Sequence, residues 1–243
     1  MVIELAGKKI AVENVHFHME RFGKDYVPSG KGRADFCISV TQADVDFERT
    51  KSEREDRREG IPVRQFSDEY LETLAVYRKI AERMPLYDVM LLHGSCIAVD
   101  GQGYLFTAKS GTGKSTHATL WREMLGERAV MVNDDKPLIR VNGDGTAVAY
   151  GTPWDGKHHL SSNIAVPLRA ICILERSEGN RITEITKREA LPMLFQQAYR
   201  PMDTEAMQRT IELIERLNIK FYRLGCNMEL SAAELSYGTM KEG

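Results

Sequence analysis

The sequence predicts an α/β protein, and three features of the pattern support that class. A glycine-rich turn at residues 108–115 lies between an apolar, strand-like run at 104–107 and a helix-like run at 116–125. A short apolar run at 129–132 follows and ends in Asn133-Asp134-Asp135. Two pairs of β-prone runs also meet at Asp100-Gly101 and Asn142-Gly143, dipeptides that are typical of hairpin turns.

The composition is that of an ordinary globular protein and argues against several function classes. The 243 residues are 42% hydrophobic and 28% charged, so the chain can bury a core without metal or disulfide staples. A net charge of −2 argues against nucleic acid as the main partner, which a basic excess would hold. No apolar run approaches ~18 residues, and the first residues lack the segments of a signal peptide. We therefore expect a cytoplasmic protein with no membrane partner, while a homo-oligomer stays open.

The chain is expected to have two regions. Residues 1–66 form a β-rich N-terminal region that ends in a charged stretch at 48–60, where acids and bases are interspersed. Because these charges cancel, the stretch is interpreted as a solvated, mobile connector. Residues 67–243 are expected to form one compact unit that contains the glycine-rich turn.

The glycine-rich turn has the pattern and the context of a phosphate-binding P-loop. Gly111 and Gly113 carry no Cβ, so the backbone can adopt a positive φ and approach an anion closely. Lys114 is positioned in the pattern to reach the β- and γ-phosphates, and Ser115 to place its hydroxyl on Mg²⁺. Ala108 stands where the pattern usually opens with glycine. The predicted nucleotide-binding residues are Ser110, Gly111, Thr112, Gly113, Lys114, Ser115 and Thr116.

Asp134 and Asp135 follow the strand after the P-loop helix, where P-loop proteins place a carboxylate beside Mg²⁺. One acid can serve the metal, while the other accepts a proton from an attacking hydroxyl. Alone, the pair would be interpreted as a turn or a helix cap. Its position one strand after a P-loop favours the functional interpretation.

The loop at 151–159 is a candidate substrate-binding segment, because glycines flank a tryptophan, an acid, a lysine and two histidines. Trp154 offers a flat apolar contact and Lys157 a charge for an anionic substrate. The alternative is a surface loop in which Trp154 is tucked down as an anchor.

Together these motifs resemble the HPr kinase/phosphorylase family and its relatives with a phosphoenolpyruvate carboxykinase-like P-loop fold. The resemblance rests on His93-Gly94 before the P-loop, on Gly113-Lys114-Ser115, on Asp134-Asp135, and on Gly151-Thr152-Pro153-Trp154. It covers residues 91–174 well. It implies a mixed, largely antiparallel sheet with flanking helices.

The resemblance also implies an ATP- and Mg²⁺-dependent kinase that phosphorylates a hydroxyl. Asp134 would take the hydroxyl proton with His93 beside it, Lys114 would neutralise phosphoryl charge, and Asp135 and Ser115 would serve the metal. The two aspartates could exchange roles.

The chain lacks a recognisable equivalent of the separate metal-binding glutamate of HPr kinases and of their glycine-rich, arginine-containing C-terminal signature. The expected acceptor is therefore a peptide or a small molecule, as in compact relatives that include kinases of ribosomal peptides. Two alternatives are a carboxykinase-like lyase acting on a small keto acid and a non-catalytic nucleotide-binding module. The lyase would need more metal ligands and carboxylate-binding arginines than the motifs place at the site, and those enzymes are much longer than this chain.

Overall fold

The structure is a computed structural model that describes residues 1–16, 22–30, 32–156 and 159–242. It divides into two compact units, Met1–Arg83 and Met84–Gly243. The sequence analysis placed residues 67–243 together, but the helix Asp68–Arg83 belongs to the first unit. No helix in the described ranges is both long and apolar enough to cross a membrane.

The first unit contains a small sheet and two long helices. Strands β1 (Val2–Leu5), β2 (Lys8–Glu13) and β3 (Phe36–Ser39) lie in the order β1-β2-β3. β2 is antiparallel to β1 and parallel to β3. Helices α1 (Gln42–Glu59) and α2 (Asp68–Arg83) follow. Apolar side chains of β2 and both helices, such as Ile10, Val45 and Ile80, are fully buried in this unit.

Helix α1 corrects the expectation of a mobile connector at 48–60. A capping box between Thr41 and Asp44 begins the helix, and Gly60, with φ of 70°, ends it. The Arg78 guanidinium on α2 binds Glu48 Oε1 at 2.5 Å and Asp44 Oδ1 at 3.1 Å. Some of the charges that suggested a solvated segment therefore take part in ion pairs, and a buried carboxylate such as Glu48 needs such a partner.

The second unit is built on a large sheet flanked by helices. Its strands are β4 (Val89–Leu91), β5 (Ser95–Val99), β6 (Gln102–Thr107), β7 (Ala129–Asn133), β8 (Leu138–Val141), β9 (Ala147–Tyr150), β10 (Ala165–Arg176), β11 (Arg181–Ile185) and β12 (Lys220–Cys226). Its helices are α3 (Lys114–Leu125), α4 (Lys187–Gln197), α5 (Thr204–Arg216) and α6 (Leu230–Glu242), with short 3₁₀ turns at Met84–Tyr87 and Gly126–Arg128.

The sheet is mixed, with the strand order β4-β8-β9-β10-β6-β5-β7 and with β12 pairing with β10 and β11. β10 is parallel to β6 and β12, while the hairpins β5–β6 and β8–β9 are antiparallel. These hairpins turn at the Asp-Gly and Asn-Gly positions. The predicted α/β class, with a mixed sheet and flanking helices, is confirmed.

Two apolar clusters cover the two faces of this sheet. Side chains of β6 alternate between them, since Leu105 belongs to one cluster and Tyr104 and Phe106 to the other. Helices α4 and α5 cover the first face. Helices α3 and α6 cover the second, where the fully buried Trp121 donates its indole N–H to Ser236 Oγ at 2.8 Å. The glycine-rich turn is thus held between a buried strand and a buried helix.

Candidate functional site

Strand directions bring three separate sequence motifs to one edge of the sheet. β5 pairs antiparallel with β6 on one side and with β7 on the other, so β6 and β7 run in the same direction. The P-loop follows β6, and Asp134-Asp135 follows β7, so both motifs leave the sheet at this edge. β5 begins at the same edge, directly after His93-Gly94.

The P-loop has the backbone geometry that its glycines predicted. Gly111 has φ of 74° and Gly113 has φ of 116°, values at which a side chain would strain the backbone. A Cβ at either glycine would meet no heavy atom within 4 Å, so the conformation, and not crowding, requires glycine. Gly113 is the N-cap of α3, so the first N–H groups of this helix lie at the loop.

Lys114 is half-buried beside two carboxylates. Its Nζ donates to the Ala108 carbonyl at 3.1 Å, across the loop. Burial lowers the pKa of Lys114, and the charges of Asp135 and Asp134 oppose that effect. The loop therefore presents a cation at its centre, and the two carboxylates that follow β7 compensate its charge.

Residues of these motifs line one cavity of about 420 Å³ at the edge of the sheet. Its lining includes residues of the P-loop and the start of α3 together with residues from three other segments. These residues are His93, Ser110, Gly111, Gly113, Lys114, Ser115, Thr116, Asp134, Asp135 and Gly156. Of the predicted nucleotide-binding residues, Thr112 lies in the lining of a neighbouring cavity instead.

The two aspartates have different surroundings. Asp134 is only 6% exposed, and its Oδ1 accepts a hydrogen bond of 2.6 Å from Ser95 Oγ. Asp135 is more exposed, and its carboxylate lies 3.2 Å from His93 Nε2 and 3.6 Å from Lys136 Nζ. Burial acts to raise the pKa of Asp135, but contacts with His93, Lys136 and Lys114 outweigh it and lower that pKa. The contact of His93 is therefore with Asp135, whereas the first assignment of the sequence analysis placed it beside Asp134.

His93 is fixed from behind by a residue that the sequence analysis missed. Its Nδ1 lies 2.9 Å from Gln197 Oε1, at the end of α4. An amide oxygen only accepts, so Nδ1 donates its proton to Gln197, while Nε2 faces Asp135. Gln197 lies 104 residues from His93 in the chain, so no local pattern could have signalled the contact.

Asn133 shapes the turn that carries both aspartates. The side chain is fully buried, and its Oδ1 accepts from the backbone N–H groups of Asp135 and Lys136 at 2.9 and 2.5 Å. Its Nδ2 donates to the Thr152 carbonyl at 3.0 Å and to the Trp154 carbonyl at 3.3 Å. One amide therefore joins the aspartate turn to the loop at 151–156. Its only sequence signal was its place directly before the two acids.

The candidate substrate-binding loop at 151–159 contributes Gly156 to the cavity lining. Gly156 lines the cavity, and a Cβ on Gly156 would lie 3.2 Å from Asp135 Cβ. Trp154 is only 4% exposed, which agrees with the anchor alternative. A contact between its ring and a substrate would require the loop to move, and that role stays a prediction. Lys157, the other predicted substrate contact, lies outside the described residues.

The cavity suits Mg²⁺ in a nucleotide complex better than a metal held by the protein alone. In the described parts of the chain, no group of three or more His, Cys, Asp or Glu side chains could hold a metal ion. Mg²⁺ beside nucleotides takes one or two carboxylates, while phosphates and water supply its other ligands. Ser115, Asp134 and Asp135 line one cavity and offer a hydroxyl and two carboxylates for that purpose.

Comparison with known proteins gives a family but not an activity. No curated protein matches the chain. The structure of the Hpr(Ser) kinase/phosphatase from Coxiella burnetii is a distant likeness, with a TM-score of 0.37 and 11% identity over 63% of this chain and 99% of that one. The family model for SynChlorMet cassette protein ScmC matches residues 63–229, more than two thirds of the chain. This protein therefore belongs to the ScmC family of SynChlorMet cassette proteins.

Proposed function

We propose that this protein is an ATP-dependent phosphotransferase whose acceptor is a hydroxyl group of a peptide or a small metabolite. The observation that carries the proposal is the single cavity that Lys114, Asp134, Asp135 and His93 line together. A P-loop alone supports nucleotide binding. A P-loop that faces two carboxylates, one of them in contact with a histidine, supports group transfer.

In the proposed reaction, the acceptor oxygen forms a bond to the γ-phosphorus while the bond from that phosphorus to the β–γ bridging oxygen breaks. ADP leaves with the electron pair of the broken bond, and the acceptor proton passes to an aspartate. Lys114 neutralises the charge that moves onto the phosphate oxygens. Mg²⁺, when bound through Ser115 and an aspartate, supplies further charge neutralisation.

The surroundings of the two aspartates favour the exchanged assignment, with Asp135 as the base. Asp135 is the more exposed carboxylate, and His93 Nε2 lies 3.2 Å from it, so the accepted proton has a second acceptor nearby. Asp134 is buried, and Ser95 holds its Oδ1. A carboxylate held in this way suits a fixed metal ligand better than a proton acceptor that must exchange with solvent.

The chemistry of the lining disfavours the two alternatives. Among the described residues that line the cavity, Lys114 and His93 are the only basic side chains, and none is an arginine. A keto-acid substrate would need more cationic partners for its carboxylate groups. A non-catalytic nucleotide-binding module would have no need for the chain of contacts from Gln197 through His93 to Asp135.

The test measures transfer of labelled γ-phosphate from ATP to serine-, threonine- and tyrosine-containing peptides and to a panel of small alcohols that includes sugars. The parent protein should label at least one acceptor. Asp135→Asn should lower kcat by about 10²–10⁴-fold with little change in ATP affinity, as for a lost general base. Asp134→Asn is the matched variant, and it should chiefly raise the Mg²⁺ concentration that activity requires. ATP binding without labelling of any acceptor would support the non-catalytic alternative instead.

A further inference from the structure

A second cavity, of about 440 Å³, adjoins the first across the P-loop. The two cavities share Gly111, Gly113 and Thr116 in their linings. The rest of the second lining comes from Thr112 of the P-loop, from α3, from the end of β10 and from the end of β12 with the segment after it. An elongated ligand that crosses the loop would therefore touch both cavities.

We propose that this second cavity is the nucleoside subsite, which receives the base and ribose of the nucleotide. The inference rests on the proposed function, since it assumes that the P-loop binds a nucleoside triphosphate. The volume lies in the range of small-molecule pockets, which are mostly apolar with a few polar groups. Leu120, Leu174 and Met228 supply apolar surface from three separate segments, which suits the faces of a flat heterocycle.

The described lining of the second cavity carries little charge. Arg176 donates to the Gly111 carbonyl, so its guanidinium lies where the cavity meets the phosphate loop. Asn227 is occupied in holding its own segment, because its Oδ1 accepts from the Glu229 N–H at 3.1 Å and its backbone N–H donates to Asn180 Oδ1 at 2.9 Å. Among the described residues of this lining there is no carboxylate. An uncharged base and a ribose near one arginine are compatible with that surface.

The charged residues of the reaction line the first cavity alone. Lys114, Asp134, Asp135 and His93 belong to that lining and are not among the described residues of the second cavity. An acceptor placed in the second cavity would be separated from both carboxylates by the P-loop. The geometry therefore orients the nucleotide, with its base beside Leu120 and Met228 and its γ-phosphate toward Asp135. The acceptor then approaches from the side of Gly156.

The test compares Mg²⁺ complexes of ATP and of inorganic tripolyphosphate, which has the phosphates but no nucleoside. Ser177 is exposed and lines the second cavity, so Ser177→Trp should fill it. By calorimetry, this variant should bind ATP about tenfold more weakly and tripolyphosphate as tightly as the parent. Met228→Ala, at a side chain that is 77% exposed, should weaken ATP binding by a smaller factor without risk to folding. Glu178→Trp is the control, because this exposed neighbour does not appear in the described lining.

Two outcomes would overturn the nucleoside subsite. One is unchanged ATP affinity in both Ser177→Trp and Met228→Ala, and the other is an equal loss for ATP and tripolyphosphate. In both cases the parent still binds ATP, so the proposed function would survive. If the parent binds neither ligand, the proposed function itself fails.

Discussion

Acid should destabilise the second unit through one buried histidine, His117 on the P-loop helix. The side chain is 2% exposed, and its ring packs edge-on against Phe106 with centroids 4.7 Å apart. Nε2 lies 3.0 Å from Ser236 Oγ, and Nδ1 has no hydrogen-bond partner in the described structure. Burial lowers the pKa of His117 to about 4 from an ordinary value of 6.5.

The sign and the size of the effect follow from proton linkage. Above about pH 6.5, both the folded and the unfolded chain hold this histidine neutral, so the contribution to stability is fully present. Between about pH 6.5 and about pH 4, the unfolded chain binds a proton that folded His117 does not. At ~1.36 kcal/mol per pH unit, the free energy of unfolding falls by about 3 kcal/mol across that window.

The assay is urea unfolding at a series of pH values, followed by tryptophan fluorescence. The chain has 2 tryptophans, Trp121 and Trp154, and both lie in the second unit. His117→Gln removes the titrating ring. Between pH 6.5 and pH 4, the free energy of unfolding of this variant should therefore fall by about 3 kcal/mol less than that of the parent. Ser236→Ala is the control, because it removes the hydroxyl partner but keeps the buried imidazole, and it should keep the pH dependence of the parent. Parallel pH curves for the parent and His117→Gln would refute the reasoning.

Two further predictions concern the positioning of the cavity. A Cβ on Gly151 would lie 1.9 Å from the Ser162 carbonyl oxygen, so Gly151→Ala should lower the free energy of unfolding by about 1–3 kcal/mol, whereas Gly143→Ala, with no heavy atom within 4 Å, should not. Equal unfolding midpoints in urea for both variants would contradict the crowding argument. Gln197→Leu removes the partner of His93 Nδ1, so it should lower the phosphoryl-transfer rate by about tenfold and leave ATP affinity unchanged. An unchanged rate and an unchanged pH profile would show that Gln197 does not position the histidine.

The local part of the site could be predicted from the sequence. The P-loop is eight contiguous residues, and its strand, positive-φ glycines and helix all follow from local chemistry. The functional role of Asp134-Asp135 was predicted from the apolar strand directly before the pair. Its approach to the P-loop depends on β5 pairing with both β6 and β7, a strand order that the sequence analysis did not predict.

Contacts distant in sequence could not be predicted. The contact of His93 with Asp135 depends on how the turn after β7 is held by the buried amide of Asn133. Helix α1 has a weak amphipathic pattern, and its buried Glu48 is compensated by Arg78, 30 residues away in the chain. From the local sequence alone, such charges predict a solvent-exposed segment, because the residue that balances them lies in another helix.

The most direct test of the phosphate-loop assignment is calorimetric titration of the protein with Mg²⁺·ATP. The parent should bind, and Lys114→Ala should lose most of that affinity, because this ammonium lies at the centre of the loop beside Asp134 and Asp135. Lys109→Ala is the matched control, since Lys109 is an exposed lysine of the same loop, and it should bind like the parent. Binding by Lys114→Ala that is as tight as binding by the parent would contradict the account, because the phosphates would then lie elsewhere.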